Sequence, residues 1–486
     1  MIPVLLSVLL AVAPASARTK KPAAPPPPPP VEAPVPPPDP LATMPTVGEA
    51  RPFVPPTPEV GALSNQVPVW VLPSPKLPIF SLVLYVPRGS QLDAPGKEGT
   101  AALAMEVMGR GAGERDSAAF SAEVERRGLS ISRDAGPDGA WVALSGPTEQ
   151  LQAGLDLLAD FVLRPQFAGI EVKKARELLL AGLQSNLDEP GYVASRTGLS
   201  LYWGPAHPYG RPADGTQAGL KKIGAVDLKK WHKAAWSATG ATLAVAGAVT
   251  KEQVLPMLDA RFGAWKAGKD VKVDVPAAPV HDREAIYIVD APGSAQTGFY
   301  VAFPGLAQFA PPEVATKMGT IALGGTFTSR LNALLREEKG YTYGVRAAME
   351  SRRHGGTLLV RTRIRADVTA EAMVDLVAQL DKITAGIDEA ELKKAQGAAR
   401  QDVVEVLETQ AGVAGAYVDY LALGRPPGAL AAELTSYGAV RIDEVTSAMA
   451  LYSRQHAVFV LVGDRALIEP KLREKGFVDL AVVTPP

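Results

Sequence analysis

The sequence predicts an α+β protein built from two copies of one unit, each with helices stacked on one face of a sheet. Strand-like and long helical segments are mixed without the regular strand–helix–strand alternation of a parallel α/β sheet. Segments of the first half recur in the same order in the second half, at a period too long for a solenoid. The 486 residues, 47% hydrophobic and 21% charged, suffice for two or three cores.

The first 17 residues carry the pattern of an export signal. An apolar run is followed by Ala15-Ser16-Ala17, the small-residue pattern of a cleavage site, and the run is too short to span a bilayer comfortably. We therefore predict a signal peptide at 1–17 and an exported protein, periplasmic or extracellular. An uncleaved N-terminal membrane tether is the alternative, because no Lys or Arg precedes the apolar run.

Residues 18–60 are rich in proline, with six consecutive prolines at Pro25–Pro30. Such a segment has little to bury and adopts extended polyproline II, so we predict a disordered linker. A role as a ligand for a partner protein is the less favoured interpretation.

The duplicated unit is visible from about Gly61 to the end of the chain. Four pairs of segments correspond: Phe80–Val86 with Gly298–Phe303 and Ala241–Gly247 with Ala457–Gly463 as strands, Phe167–Leu187 with Thr384–Leu407 and Tyr192–Trp203 with Gly412–Leu423 as helices. The predicted domains are 61–270 and 284–486, and the linker 271–283 joins them.

Charge and cysteine content exclude several classes of function. A formal net charge of -1 provides no basic surface for nucleic acid or for an anionic membrane. The absence of cysteine excludes a disulfide framework, a thiolate nucleophile and a cysteine metal site. No two of the five histidines lie within five residues of each other, so no pair presents two imidazoles on one helical turn.

The most informative stretch runs from Gly324 to Val345. It reads as a helix that ends in a glycine turn and is followed by a short strand, and it places Arg336 and Tyr343 seven positions apart. A charged guanidinium and a neutral hydroxyl together suit stabilisation of a developing oxyanion. Spacing alone favours a structural interpretation, with Arg336 at a helix C-terminus and Tyr343 at a strand edge.

This stretch resembles the C-terminal-half motif of the insulinase/pitrilysin-type zinc peptidases (inverzincins). His207–Gly215 and Ala291–Thr297 resemble the same family more weakly, and the resemblance extends over nearly everything after the proline-rich segment. It implies a mainly antiparallel sheet in each domain, as in the LuxS/processing-peptidase-like fold. It also implies that Arg336 and Tyr343 bind the scissile carbonyl of a peptide held at zinc; Tyr341 is a nearby rival for the tyrosine.

The resemblance also shows which metal ligands are missing. The family's His-x-x-Glu-His motif corresponds to Gly99–Glu106, so that Ala102 replaces the first histidine, Met105 the general base and Glu106 the second histidine. The family's third ligand, a glutamate, corresponds to about Gly182. We therefore expect no metal, no cofactor and no catalytic residue in this chain alone.

These expectations imply half of a split active site. The favoured reading is a non-catalytic subunit of a heteromeric metalloendopeptidase, inactive alone, whose zinc-bearing paralogous partner acts on an extended peptide. The alternative is a pseudopeptidase that retains the fold and serves as a scaffold or peptide-binding protein. A third, weaker reading is an independent enzyme with a relocated metal site.

Overall fold

The computed structural model describes residue 48 and residues 51–269 and 273–485. The predicted signal peptide and most of the predicted proline-rich linker lie outside the described residues, as do residues 270–272 of the predicted junction between the domains. Residues 53–486 form one compact unit.

The first half contains a six-stranded sheet in the order β1-β2-β8-β3-β7-β6 and a small β4-β5 pair. Its strands are β1 (Glu59–Ala62), β2 (Pro68–Pro73), β3 (Ile79–Val86), β4 (Gly111–Ala112), β5 (Arg115–Asp116), β6 (Ser130–Ala135), β7 (Ala140–Pro147) and β8 (Thr242–Gly247). Its helices are α1 (Thr100–Met108), α2 (Ser117–Arg126), α3 (Leu151–Leu163), α4 (Gly169–Leu187), α5 (Pro190–Trp203), α6 (Gln217–Lys222), α7 (Ala225–Ala235) and α8 (Lys251–Phe262).

The second half contains a six-stranded sheet in the order β11-β12-β10-β13-β9-β14. Its strands are β9 (Ala285–Asp290), β10 (Gln296–Gly305), β11 (Val345–Arg352), β12 (Gly355–Arg365), β13 (Val458–Gly463) and β14 (Leu480–Val482). Its helices are α9 (Glu313–Thr320), α10 (Thr369–Thr384), α11 (Glu389–Val406), α12 (Gln410–Ala422), α13 (Ala429–Ala439), α14 (Ile442–Ala448) and α15 (Arg465–Glu474), with π-helical turns at Ile321–Gly325 and Asn332–Glu338.

Five strands of each sheet share one topology, which confirms the predicted α+β class and the duplication, whereas the sixth differs: β1 is antiparallel to β2 and β14 is parallel to β9. In each, a central strand (β3 or β10) is antiparallel to one strand of a hairpin (β7 or β12) and to a buried strand (β8 or β13). That buried strand is parallel to the first long strand of its half (β2 or β9). Every residue of β8 and β13 is buried, so both read as continuous apolar runs.

One boundary differs from the sequence prediction. Strand β1 begins at Glu59, two residues inside the segment predicted as linker, and it pairs antiparallel with β2. The reason is local, because the last proline of the rich segment, Pro58, precedes the strand and leaves its amides free to pair.

The two halves exchange a helix. Each sheet buries one face against helices of its own half. On the other face, α5 of the first half packs against the second sheet, where Val193, Ala194 and Tyr202 contact strands β10 and β13. In return, α12 of the second half packs against the first sheet through Val413, Ala414 and Tyr417. Each sheet therefore has the predicted helices of its own half on one face and, in addition, one helix of the other half on the opposite face.

The tips of the two equivalent hairpins also meet. Asp138, between β6 and β7, accepts a 2.7 Å hydrogen bond from the Tyr209 hydroxyl and a 3.0 Å bond from the backbone N–H of Arg353, between β11 and β12. The Tyr209 hydroxyl accepts in turn from the backbone N–H of His354 at 3.1 Å. These bonds fix the separation of the halves on the side where α5 crosses. No helix in the described part of the chain combines the length and apolar character needed to cross a membrane.

Candidate functional site

Helix α1, which carries three of the positions aligned with metal-site residues, is anchored at its start by a buried carboxylate. Asp93 accepts hydrogen bonds from the backbone N–H groups of Gly99 at 2.8 Å and Ala101 at 3.0 Å. Gly99 has φ of 97°, a left-handed conformation that favours glycine. Burial raises the pKa of Asp93 to about 7, although these backbone donors oppose the shift.

None of the three positions on α1 offers a free metal ligand: Ala102 has only a methyl group, Met105 is part of the core, and Glu106 is engaged in ion pairs. Ala102 lines a cavity of about 420 Å³, and Met105 is 3% exposed within the first core. Glu106 forms ion pairs with Arg110 at 2.7 Å and with Arg133 at 2.9 Å. The Arg133 Nε also donates to the Met105 carbonyl at 2.6 Å. The single remaining carboxylate is therefore neutralised by two guanidinium groups, a donor set that does not fit zinc.

The fourth position, Gly182, contributes no ligand. It is exposed on α4, and a Cβ added there would meet no atom within 4 Å. The α4 acid that approaches this network is Glu171, whose Oε2 lies 3.8 Å from Arg110. Eleven residues separate the two positions, about 16 Å along the helix. Within residues 51–269 and 273–485, no group of three or more His, Cys, Asp or Glu side chains is placed to hold a metal ion.

Four of the five histidines have a ring nitrogen within hydrogen-bonding distance of a backbone carbonyl. The pairs are His207 with Pro276 at 3.1 Å, His232 with Val162 at 2.8 Å, His281 with Tyr202 at 2.9 Å and His456 with His281 at 2.5 Å. His207 also accepts at Nδ1 from the backbone N–H of Tyr209, and burial lowers its pKa. In these four histidines a ring nitrogen is therefore engaged by a backbone carbonyl, which indicates a structural role for the imidazoles.

The single helix predicted from Gly324 is divided in two: a first helical segment ends in the π-helical turn Ile321–Gly325, and a second runs from Arg330 through the π-helical turn Asn332–Glu338. A glycine turn at Gly340, with φ of 61°, and the strand β11 then follow, as predicted. Gly324 interrupts the first turn with φ of -159°. Its lack of a side chain lets the turn lie directly on β11, since a Cβ there would stand 2.7 Å from the Ala347 nitrogen. The close approach to β11 therefore overrides the helical periodicity that the sequence suggests.

Asn332, which sequence reasoning missed, holds this segment together. The side chain is 5% exposed. Its Nδ2 donates to the carbonyls of Thr326 at 3.0 Å and Val345 at 2.9 Å, and its Oδ1 accepts from the Val345 N–H at 2.8 Å. Asn332 thus ties the second turn to the start of β11. The polar side chain at an apolar position of the turn is the signal that would have identified it.

The Arg336 guanidinium stacks on the aromatic ring of Phe327. Its guanidinium carbon lies 3.8 Å from the centroid of the Phe327 ring, and its Nε lies 3.4 Å from Glu337 Oε1. Phe327 itself is 57% exposed, so its ring is available at the surface to contact Arg336. Phe327 is a second residue that sequence reasoning missed, and it positions Arg336 near the surface.

Tyr343 is 90% exposed, yet the backbone on either side of it is fixed. The Thr362 side chain of β12 bonds to the Thr342 hydroxyl and to the Gly344 carbonyl, both at 2.9 Å. The backbone N–H of Arg365 donates to the Tyr341 carbonyl at 3.1 Å. A rigid loop therefore presents the Tyr343 side chain to solvent, whereas the predicted structural role placed this tyrosine at a strand edge.

Two cavities lie along α5, between the two halves. The first, of about 420 Å³, is lined by Ala102 and Arg352 among others, and the second, of about 370 Å³, by Gly344 and Arg361. Tyr192 and Ser195 of α5 border both cavities. The Tyr192 hydroxyl donates to Asp214, and burial raises its pKa to about 12, so it remains protonated at neutral pH.

We call these two neighbouring cavities, which share Tyr192 and Ser195, the cleft along α5. Ala102 lines the first, and Gly344, the neighbour of Tyr343, lines the second. Arg336 is not among the residues that line these two cavities, and its guanidinium instead contacts Phe327 and Glu337.

Comparison with known proteins is consistent with these features. Residues 71–196 match the family described as "Insulinase (Peptidase family M16)", and residues 222–398 match "Peptidase M16 inactive domain". An uncharacterized zinc protease of Mycobacterium leprae is 24% identical over 261 residues, 53% of this chain and 58% of that protein. The match therefore spans less than two thirds of that relative.

Two further proteins match over more of the chain. The "Non-peptidase homolog YmxG" of Helicobacter pylori is 22% identical over 347 residues, 70% of this chain and 79% of that protein. A crystal structure described as a peptidase M16 inactive domain from Pseudomonas fluorescens superposes with a TM-score of 0.78, at 22% identity, over 84% of this chain and 97% of that one. At this identity the likeness of the structures establishes the fold.

Proposed function

Because this chain belongs to the insulinase (M16) peptidase family and is a non-catalytic member of it, we propose that it is the zinc-free subunit of an exported heteromeric zinc endopeptidase. In this proposal a paralogous partner subunit carries the zinc and cleaves an extended peptide. Arg336 and Tyr343 of this chain bind the peptide and polarise its scissile carbonyl.

One asymmetry between the two halves carries the proposal. In the first half, Glu106 occupies the position of the second metal ligand and is paired with Arg110 and Arg133, so its carboxylate is not available to bind a metal ion. In the second half, two hydrogen bonds from the Asn332 side chain to Val345 and two from Thr362 fix the ends of a loop whose tyrosine is 90% exposed. A tyrosine so exposed adds nothing to a core, and a rigid loop that displays one is typical of a binding site.

The chemistry follows from what these two groups donate. When a metal-bound water attacks a carbonyl, negative charge develops on the carbonyl oxygen, and a donor aimed at that atom contributes roughly 10²–10³ in rate. Arg336 would have to leave Phe327 and Glu337 to reach a substrate. An exposed cation–π contact contributes about 0.5–1 kcal/mol and an exposed ion pair about 0–1 kcal/mol, so this release costs little compared with the gain.

A scaffold or peptide-binding role is the second candidate, and the contacts of Arg336 favour it. The guanidinium already has a ring and a carboxylate as partners in this chain, which suffices for a purely structural side chain. In that case the fold, rather than the Arg/Tyr pair, is what this protein contributes to an assembly.

Point variants assayed with the zinc-bearing partner separate the two candidates. Arg336→Ala and Tyr343→Phe should each lower peptide cleavage by about tenfold or more while assembly is unchanged. Lys339→Ala and Tyr341→Phe are matched controls, because they remove a neighbouring charge and a neighbouring hydroxyl from the same segment, and both should retain full activity. Unchanged turnover in Arg336→Ala and Tyr343→Phe would support the scaffold. Stoichiometric zinc in the isolated chain would contradict both candidates.

A further inference from the structure

We propose that one face of the β11–β12 hairpin binds peptide carboxylates, so that the cleft along α5 selects segments with acidic side chains or a free C-terminus. This inference rests on the proposed function, since it names the substrate chemistry of the same cleft. The arginine face is defined by Arg346 and Arg352 of β11 and by Arg361, Arg363 and Arg365 of β12.

Strand alternation puts these five arginines on one side of the hairpin. In the register of the pair, Arg346 stands opposite Arg361 and Val345 opposite Thr362. Side chains two residues apart along a strand point to the same face, so the arginines alternate with residues that face the second core. Val345, Val360 and Ile364 belong to that core, and the arginine face is therefore the side turned towards α5.

Arg346 and Arg361 are direct cross-strand neighbours, an arrangement that folding alone does not favour. Side chains directly opposite each other on antiparallel strands have Cβ atoms about 5 Å apart, and like charges there are destabilising. A local rule broken in this way is expected at a functional site, where a bound anion relieves the repulsion.

The acidic residues near this face are too few to neutralise its arginines, and their ion pairs are long. Glu350 serves two guanidiniums, Arg352 at 3.4 Å and Arg361 at 3.5 Å. Glu189 of the α5 start lies 3.4 Å from Arg363, and both side chains are more than half exposed. Exposed pairs of this kind contribute little, so a ligand carboxylate can replace them.

Counting the whole face leaves a positive excess. Asp367 pairs with Arg365 at 3.0 Å, so five guanidiniums meet three carboxylates. In the first cavity, Arg196 pairs with Asp214 at 2.8 Å, Arg211 donates to the Asp93 carbonyl and Asp134 accepts from the backbone N–H of Ala135. These groups do not offset the excess.

The arginine face meets the cleft where the Tyr343 loop does. Arg361 and Arg363 line the second cavity together with Gly344, the neighbour of Tyr343, and Arg352 lines the first cavity. A guanidinium presents two parallel N–H groups that match the two oxygens of a carboxylate. A peptide whose backbone passes Tyr343 therefore places nearby carboxylates against these arginines.

Binding of labelled peptides to the full chain, measured by fluorescence anisotropy, tests this. Four length-matched unstructured peptides are compared: one with several glutamates and an amidated C-terminus, its glutamine counterpart, the glutamine peptide with a free C-terminus, and a lysine counterpart. At low salt the glutamate peptide, the free-acid peptide or both should bind at least tenfold more tightly than the amidated glutamine peptide. The lysine peptide should bind most weakly, and added salt should remove the differences. The first and third peptides distinguish acidic side chains from a free C-terminus as the source of the carboxylate.

Two variants give a signature that a structural role would not produce. Arg346→Gln and Arg361→Gln should each weaken carboxylate binding at least threefold and raise the urea midpoint of unfolding, because each removes the cross-strand repulsion. Arg126→Gln, which removes an exposed arginine paired with Glu123 on α2, should leave peptide binding unchanged.

Equal affinity for the glutamate, free-acid and amidated glutamine peptides would overturn the inference, even if cleavage by the complex depends on Arg336 and Tyr343. Conversely, a carboxylate preference combined with full cleavage by Arg336→Ala and Tyr343→Phe would overturn only the proposed catalytic contribution.

Discussion

Gly198→Ala tests the exchange of helices, which couples the two halves. Gly198 lies on α5 against Tyr300 of β10, and a Cβ at this position would stand 2.0 Å from Tyr300 Cδ1 and 2.5 Å from its Cε1. Tyr300 is 1% exposed, so its ring has no space into which to move. Overpacking of a core costs about 1–3 kcal/mol, and an overlap of this size belongs at the upper end. Alanine returns about 1 kcal/mol through its better helix propensity. The net loss should be about 1–2 kcal/mol.

Gly182→Ala is the matched control, because Gly182 also lies inside a helix of the first half but meets no atom within 4 Å. The same substitution there should stabilise by roughly 0.5–1 kcal/mol, from helix propensity and the entropy of the unfolded chain. Urea denaturation followed by tryptophan fluorescence gives both free energies of unfolding, and the two variants should differ by about 1.5–3 kcal/mol. Equal stability of the two variants would refute the direct packing of α5 on β10.

Three further predictions concern the site and its supports. Asp138→Ala leaves the Tyr209 hydroxyl and the Arg353 N–H without their acceptor, so it should cost about 2 kcal/mol and accelerate amide hydrogen exchange at Arg353; unchanged exchange there would contradict the contact between hairpin tips. Asn332→Ala should destabilise by about 2–3 kcal/mol and accelerate exchange at Val345, whereas a loop as protected as the wild type would show that Asn332 does not hold it. Burial raises the pKa of Asp93 from 3.8 in the unfolded chain to about 7, so its contribution to stability is fully present below pH 4 and is lost as pH rises to about 7. The unfolding free energy of the wild type minus that of Asp93→Asn should therefore fall between pH 5 and 7 and level off above, and a rise over that window would contradict the buried carboxyl.

Sequence periodicity located the repeated helices and strands, but not the sheet against which each helix packs. The predicted helix Phe167–Leu187 is α4, Gly169–Leu187, and the strand Ala457–Gly463 is β13, Val458–Gly463, because long amphipathic and continuous apolar runs are strong local signals. The exchange of α5 and α12 between the halves has no comparable signal in the local sequence. An amphipathic pattern shows which face of a helix is buried, whereas the sheet that buries it is a long-range property.

The candidate site could be proposed from sequence only where its residues are close together in the chain. Arg336 and Tyr343 share one motif, so one resemblance proposes both. Arg133 stands 27 residues from Glu106 on a different element, and only the fold brings the two within 2.9 Å. Phe327 and Asn332 lie inside the motif, but their roles depend on the two-turn geometry that Gly324 and β11 impose.

The ion pairs of Glu106 also oppose binding of a cation at this position. Arg110 and Arg133 bring two positive charges to one carboxylate, with side chains only 23–27% exposed. Replacing Glu106 with a histidine would remove the shared anion and leave both guanidiniums beside the intended cation. Two unit charges 4 Å apart interact by about 4 kcal/mol at the dielectric of a protein surface, and the repulsion is roughly twice as large when one charge is divalent. Restoring ligands at Ala102, Glu106 and Gly182 would therefore give weaker zinc binding with Arg110 and Arg133 present than with both replaced by uncharged residues.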